Sequence, residues 1–132
     1  MRHARILFTA AGLALAAVSA NAHHSLYAVF DENKSVTLKG TISKVEWVNP
    51  HDYLSIDVPD ADGKVSTWSI ETFPPGTLGR AGLTREKLGV RESVTLVGFA
   101  AKNGSQLVFL RTITFADGRE LFISLGDIKT VR

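Results

Sequence analysis

The sequence predicts a small all-β domain, and three observations carry that reading. Most of the chain alternates apolar and polar residues with period 2. Turn signals of the Asp-Gly or Asn-Gly kind recur at Asp62-Gly63, Asn103-Gly104 and Asp117-Gly118. One stretch only, Thr77–Leu88, has a helical pattern.

Taken in order, Val36 to Val48 reads as one long strand. Leu38, Gly40 and Ile42 follow one phase and Val45 and Trp47 the other, which places a slip or bulge near Ser43-Lys44. Asn49-Pro50 ends the strand, because proline donates no ladder hydrogen bond. Tyr53–Val58 is a second strand with Leu54, Ile56 and Val58 inward. Asp60 to Gly63 turns the chain, and Val65–Ile70 returns as a third strand. Phe73-Pro74-Pro75-Gly76 breaks the pattern. Thr84 is a plausible cap within the helical stretch and Gly89 its stop. Ser93–Phe99, Gln106–Phe115 and Glu120–Ile123 complete the strands. Three strands, a short helix and further strands is the order of an OB-like Greek-key barrel of five to six strands. A two-sheet sandwich with the helix as an insertion is the alternative.

The first residues read as a secretion signal. Arg2, His3 and Arg5 form a basic start, and Ile6–Val18 is an uncharged apolar run of 13 residues, followed by Ala20-Asn21-Ala22. A run of that length is shorter than the roughly 20 residues of a spanning helix. Cleavage after Ala22 divides the chain into a signal peptide at 1–22, an N-terminal arm at 23–35 and the barrel at 36–132. A cut after Ala20 is the other possibility. The protein is therefore expected in the periplasm, without membrane insertion after signal removal.

Removing residues 1–22 from the 132-residue chain leaves 110, one domain able to build a core without staples. Arg2 and Arg5 leave with the signal, so 13 basic residues face 13 acidic ones and the formal net charge falls from +2 to zero. On that balance no nucleic-acid partner is expected. The chain has no cysteine, and its one methionine is Met1. A metal site must then use nitrogen and oxygen, which suits Cu(II), zinc or nickel.

Cleavage after Ala22 makes His23 the first residue. An α-amine with a pKa of about 7.7–8.0 and an imidazole of about 6.5 both shed protons near neutrality, so one residue offers a two-nitrogen chelate. A second imidazole completes a histidine brace. His51 is the expected donor, with Pro50 fixing its backbone and Asn49 hydrogen-bonding the turn. His24 is the other candidate, although adjacent residues point apart on an extended arm. Glu46, Asp52 and Glu71 lie at strand ends near His51, as oxygen ligands or as partners that fix an imidazole tautomer. The competing view makes His23-His24 an exposed terminus taking metal adventitiously, His51 a turn cap, and each carboxylate a solvated strand end. Trp47 and Trp68 sit in inward phases and read as core. Tyr27 and Phe30 are expected to pin the arm to the barrel.

His23-His24-Ser25, Phe30-Asp31, Leu38 to Ile42 and Glu46-Trp47-Val48-Asn49-Pro50-His51 resemble a family of small exported bacterial proteins of unknown function. Trp68 to Glu71, Leu78 to Leu83 and Asp117-Gly118-Arg119 resemble it as well. The resemblance implies that His23, His24, Trp47, Asn49, Pro50, His51 and Glu71 belong to the family's signature, and it implies an exported location. It brings no activity.

The expectation is a non-enzymatic periplasmic protein that binds Cu(II), or another divalent metal, through His23 and His51, with His24 or an acid completing the set. A periplasmic protein partner for delivery is compatible with it. The rival is a metal-free OB-like module that recognises a protein, peptide or oligosaccharide. A copper oxygenase is disfavoured by the small barrel and its few exposed aromatics.

Overall fold

In the computed structural model, residues 22–123 and 128–131 are described, with side chains from Leu26 to Ile123. The expected signal segment therefore lies outside the described residues, apart from Ala22. The elements are α1 (Ala22–Val29), β1 (Phe30–Glu46), β2 (Tyr53–Pro59), β3 (Val65–Glu71), α2 (Pro75–Arg80), β4 (Ser93–Ala101), β5 (Leu107–Phe115), β6 (Glu120–Ile123) and β7 (Ile128–Val131).

One sheet runs in the order β3-β2-β1-β4-β5-β6-β7, and an additional pairing of β3 with β5 closes its first five strands into a barrel. That closing pair is parallel, Ser69 to Glu71 against Leu107 to Phe109; the other pairs are antiparallel. The OB-like barrel expected from the order of elements is the fold observed. β1 pairs with β4 from Ser35 to Thr41 and with β2 from Thr41 to Glu46, so one strand serves both halves. The register slips between Ile42 and Lys44, where the sequence changes hydrophobic phase. Each expected hairpin turn is held by its first Asp or Asn. The side-chain oxygens of Asp60, Asn103 and Asp117 accept from the backbone N–H two residues on, at 2.9, 3.0 and 3.0 Å.

Ile42, Leu54, Ile56, Ile70, Leu110 and Ile113 are fully buried inside the barrel. Each such side chain contributes about 1.5–3 kcal/mol by burial. Trp68, opposite Ile56 in the register, and Trp47 pack half-buried against this core, as their phases predict.

Three expectations are revised. The stretch Thr77–Leu88 is not one helix: α2 stops at Arg80. Gly82 takes φ +81°, with its N–H on Gly79 O at 3.0 Å and Leu83 N–H on Leu78 O at 2.9 Å. That left-handed glycine closes a helix, so Thr84 caps a single turn to Lys87 and Leu88 instead of continuing one. The arm at 23–35 is not extended throughout: Ala22–Val29 is helical and β1 starts at Phe30. Lys102 explains where the helix ends, its backbone N–H bonding Val29 O at 2.9 Å and its Nζ bonding Tyr27 O at 2.5 Å, both helix-terminal carbonyls. Leu26 and Phe30 pin the segment, whereas the Tyr27 side chain is 40% exposed. Finally, β7 adds a strand beyond the expected six.

Two glycines in the barrel wall have no room for a side chain. A Cβ on Gly40 would lie 2.4 Å from Asp57 O, and one on Gly98 would lie 2.2 Å from Phe109 O. Gly98→Ala is expected to cost about 2–3 kcal/mol in urea denaturation, because backbone would have to move. Gly79→Ala, at an open position of α2, should be neutral or gain up to about 1 kcal/mol. Equal effects at the two sites would contradict the packing described.

Candidate functional site

The chain between β1 and β2 passes through a cis Asn49-Pro50 bond and then alternates, His51 half-exposed, Asp52 buried, Tyr53 half-exposed, Leu54 buried. The period-2 geometry of β2 thus extends back to His51. Antiparallel pairing sets Tyr53 directly opposite Glu71, and the carboxylate of Glu71 reaches His51 Nδ1. The two side chains are 34% and 15% exposed. A carboxylate only accepts, so Nδ1 carries the proton, and in a neutral ring this leaves the Nε2 lone pair for another partner. Burial pushes the Tyr53 phenol up, and the Glu71 carboxylate raises it further through its charge and a hydrogen bond.

Asp52 faces the other way. It is 1% exposed, and its Oδ1 accepts from Val48 N–H at 2.8 Å. Its backbone N–H bonds Phe73 O at 3.4 Å, and its carbonyl accepts from Thr72 N–H at 2.9 Å. Its Oδ2 is buried without a hydrogen-bond partner. Desolvation raises its pKa above the ordinary carboxylate value, against the lowering effects of the Val48 N–H and the Arg85 charge. Asp52 therefore fastens the turn that presents His51.

Of the residues singled out in sequence, the structure brings together His51 and Glu71. Glu46 is exposed and paired with Lys44 Nζ at 2.8 Å. Asn49 is exposed and precedes the cis bond. The backbones of His23 and His24 lie in the first turn of α1, and their side chains lie outside the described residues. Sequence reasoning did not place Tyr53 beside His51 and Glu71; the signal for it was its position two residues beyond His51 on an alternating strand. The ring of Phe30, the first residue of β1 and next to α1, is 5.5 Å from that of Phe109, and Phe73 is 5.1 Å from the same ring. Those rings connect α1 to the segment that bonds Asp52. Among the described residues no three or more His, Cys, Asp or Glu side chains converge as a metal cage. A cleft of about 510 Å³ between the loop after α2 and the β5–β6 hairpin includes none of these residues.

A family model described as a family of unknown function (DUF6152) matches residues 10–109. The chain belongs to this family. No curated protein matches it. Among solved structures, the barrel is similar to the mitochondrial single-stranded DNA binding protein Rim1 of S. cerevisiae, with a TM-score of 0.50 and 17% identity over 66% of this chain and 94% of that one. The N-terminal domain of PriB from Thermoanaerobacter tencongensis gives 0.45 and 20%, over 64% of this chain and 98% of that domain. The likeness is one of fold. It nevertheless corrects the expectation that nucleic acid is no partner. That exclusion rested on overall charge, and the fold found here is one that single-stranded DNA binding proteins share.

The buried Asp52 carboxyl yields a pH test. A group whose pKa is raised on folding supports the fold most below its unfolded pKa, and loses that contribution as pH rises through the folded value. Asp52→Ala, which strips Val48 N–H of its acceptor, should cost about 1–3 kcal/mol. The gap to wild type should be wider at pH 4 than at pH 7 in chemical denaturation. A gap that widens with rising pH would sink the assignment.

Proposed function

We propose that the protein binds a divalent transition metal in the periplasm, Cu(II) before others, with His51 Nε2 as one ligand and the mature N-terminal histidine as the other anchor. The observation that carries the reading is the contact of Glu71 with His51 Nδ1. A ligating histidine generally donates its other ring N–H to a carboxylate, which fixes the tautomer and strengthens the donor nitrogen. Glu71 is thereby an orienting partner. Glu46, tied to Lys44, and Asp52, turned into the barrel, drop out as ligands.

Further ligands must come from outside the described side chains. His23 would supply amine and imidazole nitrogens after cleavage before it, and His24 is the reserve. What supports their nearness is that α1 is fastened to the barrel by Leu26, Phe30 and Lys102, and that Phe30 shares Phe109 with Phe73. The role that fits such a site is metal buffering, delivery or sensing. The second reading is a metal-free interaction module using the β2–β3 face and the loop before β2, the surface by which OB-folds take their ligands. The fold favours it.

The test is native intact-mass analysis and Cu(II) titration of the protein recovered from the periplasm. One copper per chain starting at His23 is expected. His51→Ala, or an extra residue ahead of His23, should lower affinity by more than about tenfold, and Glu71→Gln by about 10- to 100-fold. Wild-type affinity no better than that of His51→Ala would transfer the assignment to the interaction module.

A further inference from the structure

Glu71 has two neighbours on the outer face of the barrel, and the metal reading uses only one. Tyr53 stands directly opposite it in the β2–β3 register, the position at which cross-strand side chains lie closest. Both residues are half-buried and alternate with the buried Leu54 and Ile70, so both lie on the outer face, as does His51. The three side chains thus come from one side of two adjacent strands, two residues apart on β2 and its approach.

We propose that Tyr53 is a positioning residue for His51, acting through Glu71. Its hydroxyl donates to the Glu71 carboxylate and restrains it about its rotatable bonds, so that one carboxylate oxygen stays on His51 Nδ1–H. The ring is then held in the tautomer whose Nε2 is unprotonated. This inference rests on the metal reading for its purpose, though not for its test. A carboxylate with a single partner would be free to rotate, and the histidine would sample both tautomers. No ligand has to bind for the relay to act, so its effect is readable in the metal-free protein.

The experiment compares wild type with Tyr53→Phe, which keeps the ring and its packing and removes only the hydroxyl. Ring-nitrogen NMR of His51 in metal-free full-length mature protein reports the tautomer. Wild type is expected to be held in the Nδ1–H form, and Tyr53→Phe to show a mixture. Cu(II) affinity of Tyr53→Phe should fall about tenfold, the lower end of the range for outer partners of a ligating histidine. A residue that merely packs the sheet would move the melting temperature and leave the tautomer alone. An unchanged tautomer in Tyr53→Phe therefore overturns the inference. A changed tautomer in a protein that binds no copper upholds the positioning role and defeats the metal reading instead.

Discussion

Everything in this molecule depends on β1 serving two neighbours at once. Its first part is bonded to β4 and its last part to β2, and the strand must turn from one to the other within a few residues. The slip between Ile42 and Lys44 supplies the turn, and Gly40 lets the β2 backbone approach to a distance that any Cβ would forbid. Without that bend, β2 and β3 would extend an open sheet. With it, β3 swings round to meet β5, the barrel closes, and its most vulnerable edges are removed. Gly98, beside the slip in β4, admits the backbone of Phe109 in the same way.

Closure also determines what the β1–β2 turn can present. Asp52 is drawn inward by the Val48 N–H, and its own backbone is laced to Thr72 and Phe73. Burying a carboxyl with one oxygen unpartnered is unfavourable for the fold near neutrality, as the raised pKa of the group expresses. In return the turn has a fixed phase. With Asp52 in, His51 and Tyr53 must both be out, and the β3 partner of Tyr53 is Glu71. The juxtaposition of the three outer side chains is a consequence of one inward carboxylate and one strand register.

Local chemistry made much of this legible. The Asp and Asn turns, the bulge and the inward phases of Leu54 and Ile56 each follow from neighbours in sequence, so six strands could be read directly. What escaped depends on distant partners. The helix α1 ends on Lys102, 75 residues from the Tyr27 carbonyl it binds, and nothing in Ala22–Val29 announces that contact. Gly82 falls inside the stretch with a helical pattern, and only its positive φ marks it as a terminator. Glu46, Asp52 and Glu71 are alike as strand-end carboxylates in sequence. Only the pairing of strands separates the one that orients His51 from the one that fastens a turn and the one held by lysine. The overall charge, finally, excludes no partner, since it says nothing of how charge is distributed over a face.

That distribution bears on how the two functional readings relate. The outer face of β2 and β3 carries Tyr53, Ser55 and Asp57 against Glu71, Ser69 and Thr67, so hydroxyls are flanked by two carboxylates. Asp57 is already occupied, accepting from Thr67 Oγ1 at 2.7 Å and Ser43 Oγ at 3.3 Å. Glu71 is engaged through His51, whose free ring nitrogen is the open end of the relay. A divalent cation held there would offset the negative charge of Glu71 and Asp57. The face would then favour an anionic or polyhydroxyl ligand that the bare carboxylates repel or ignore. On the metal reading the cation sets the electrostatic condition for such a ligand; on the metal-free reading the face offers its own hydroxyls and carboxylates alone.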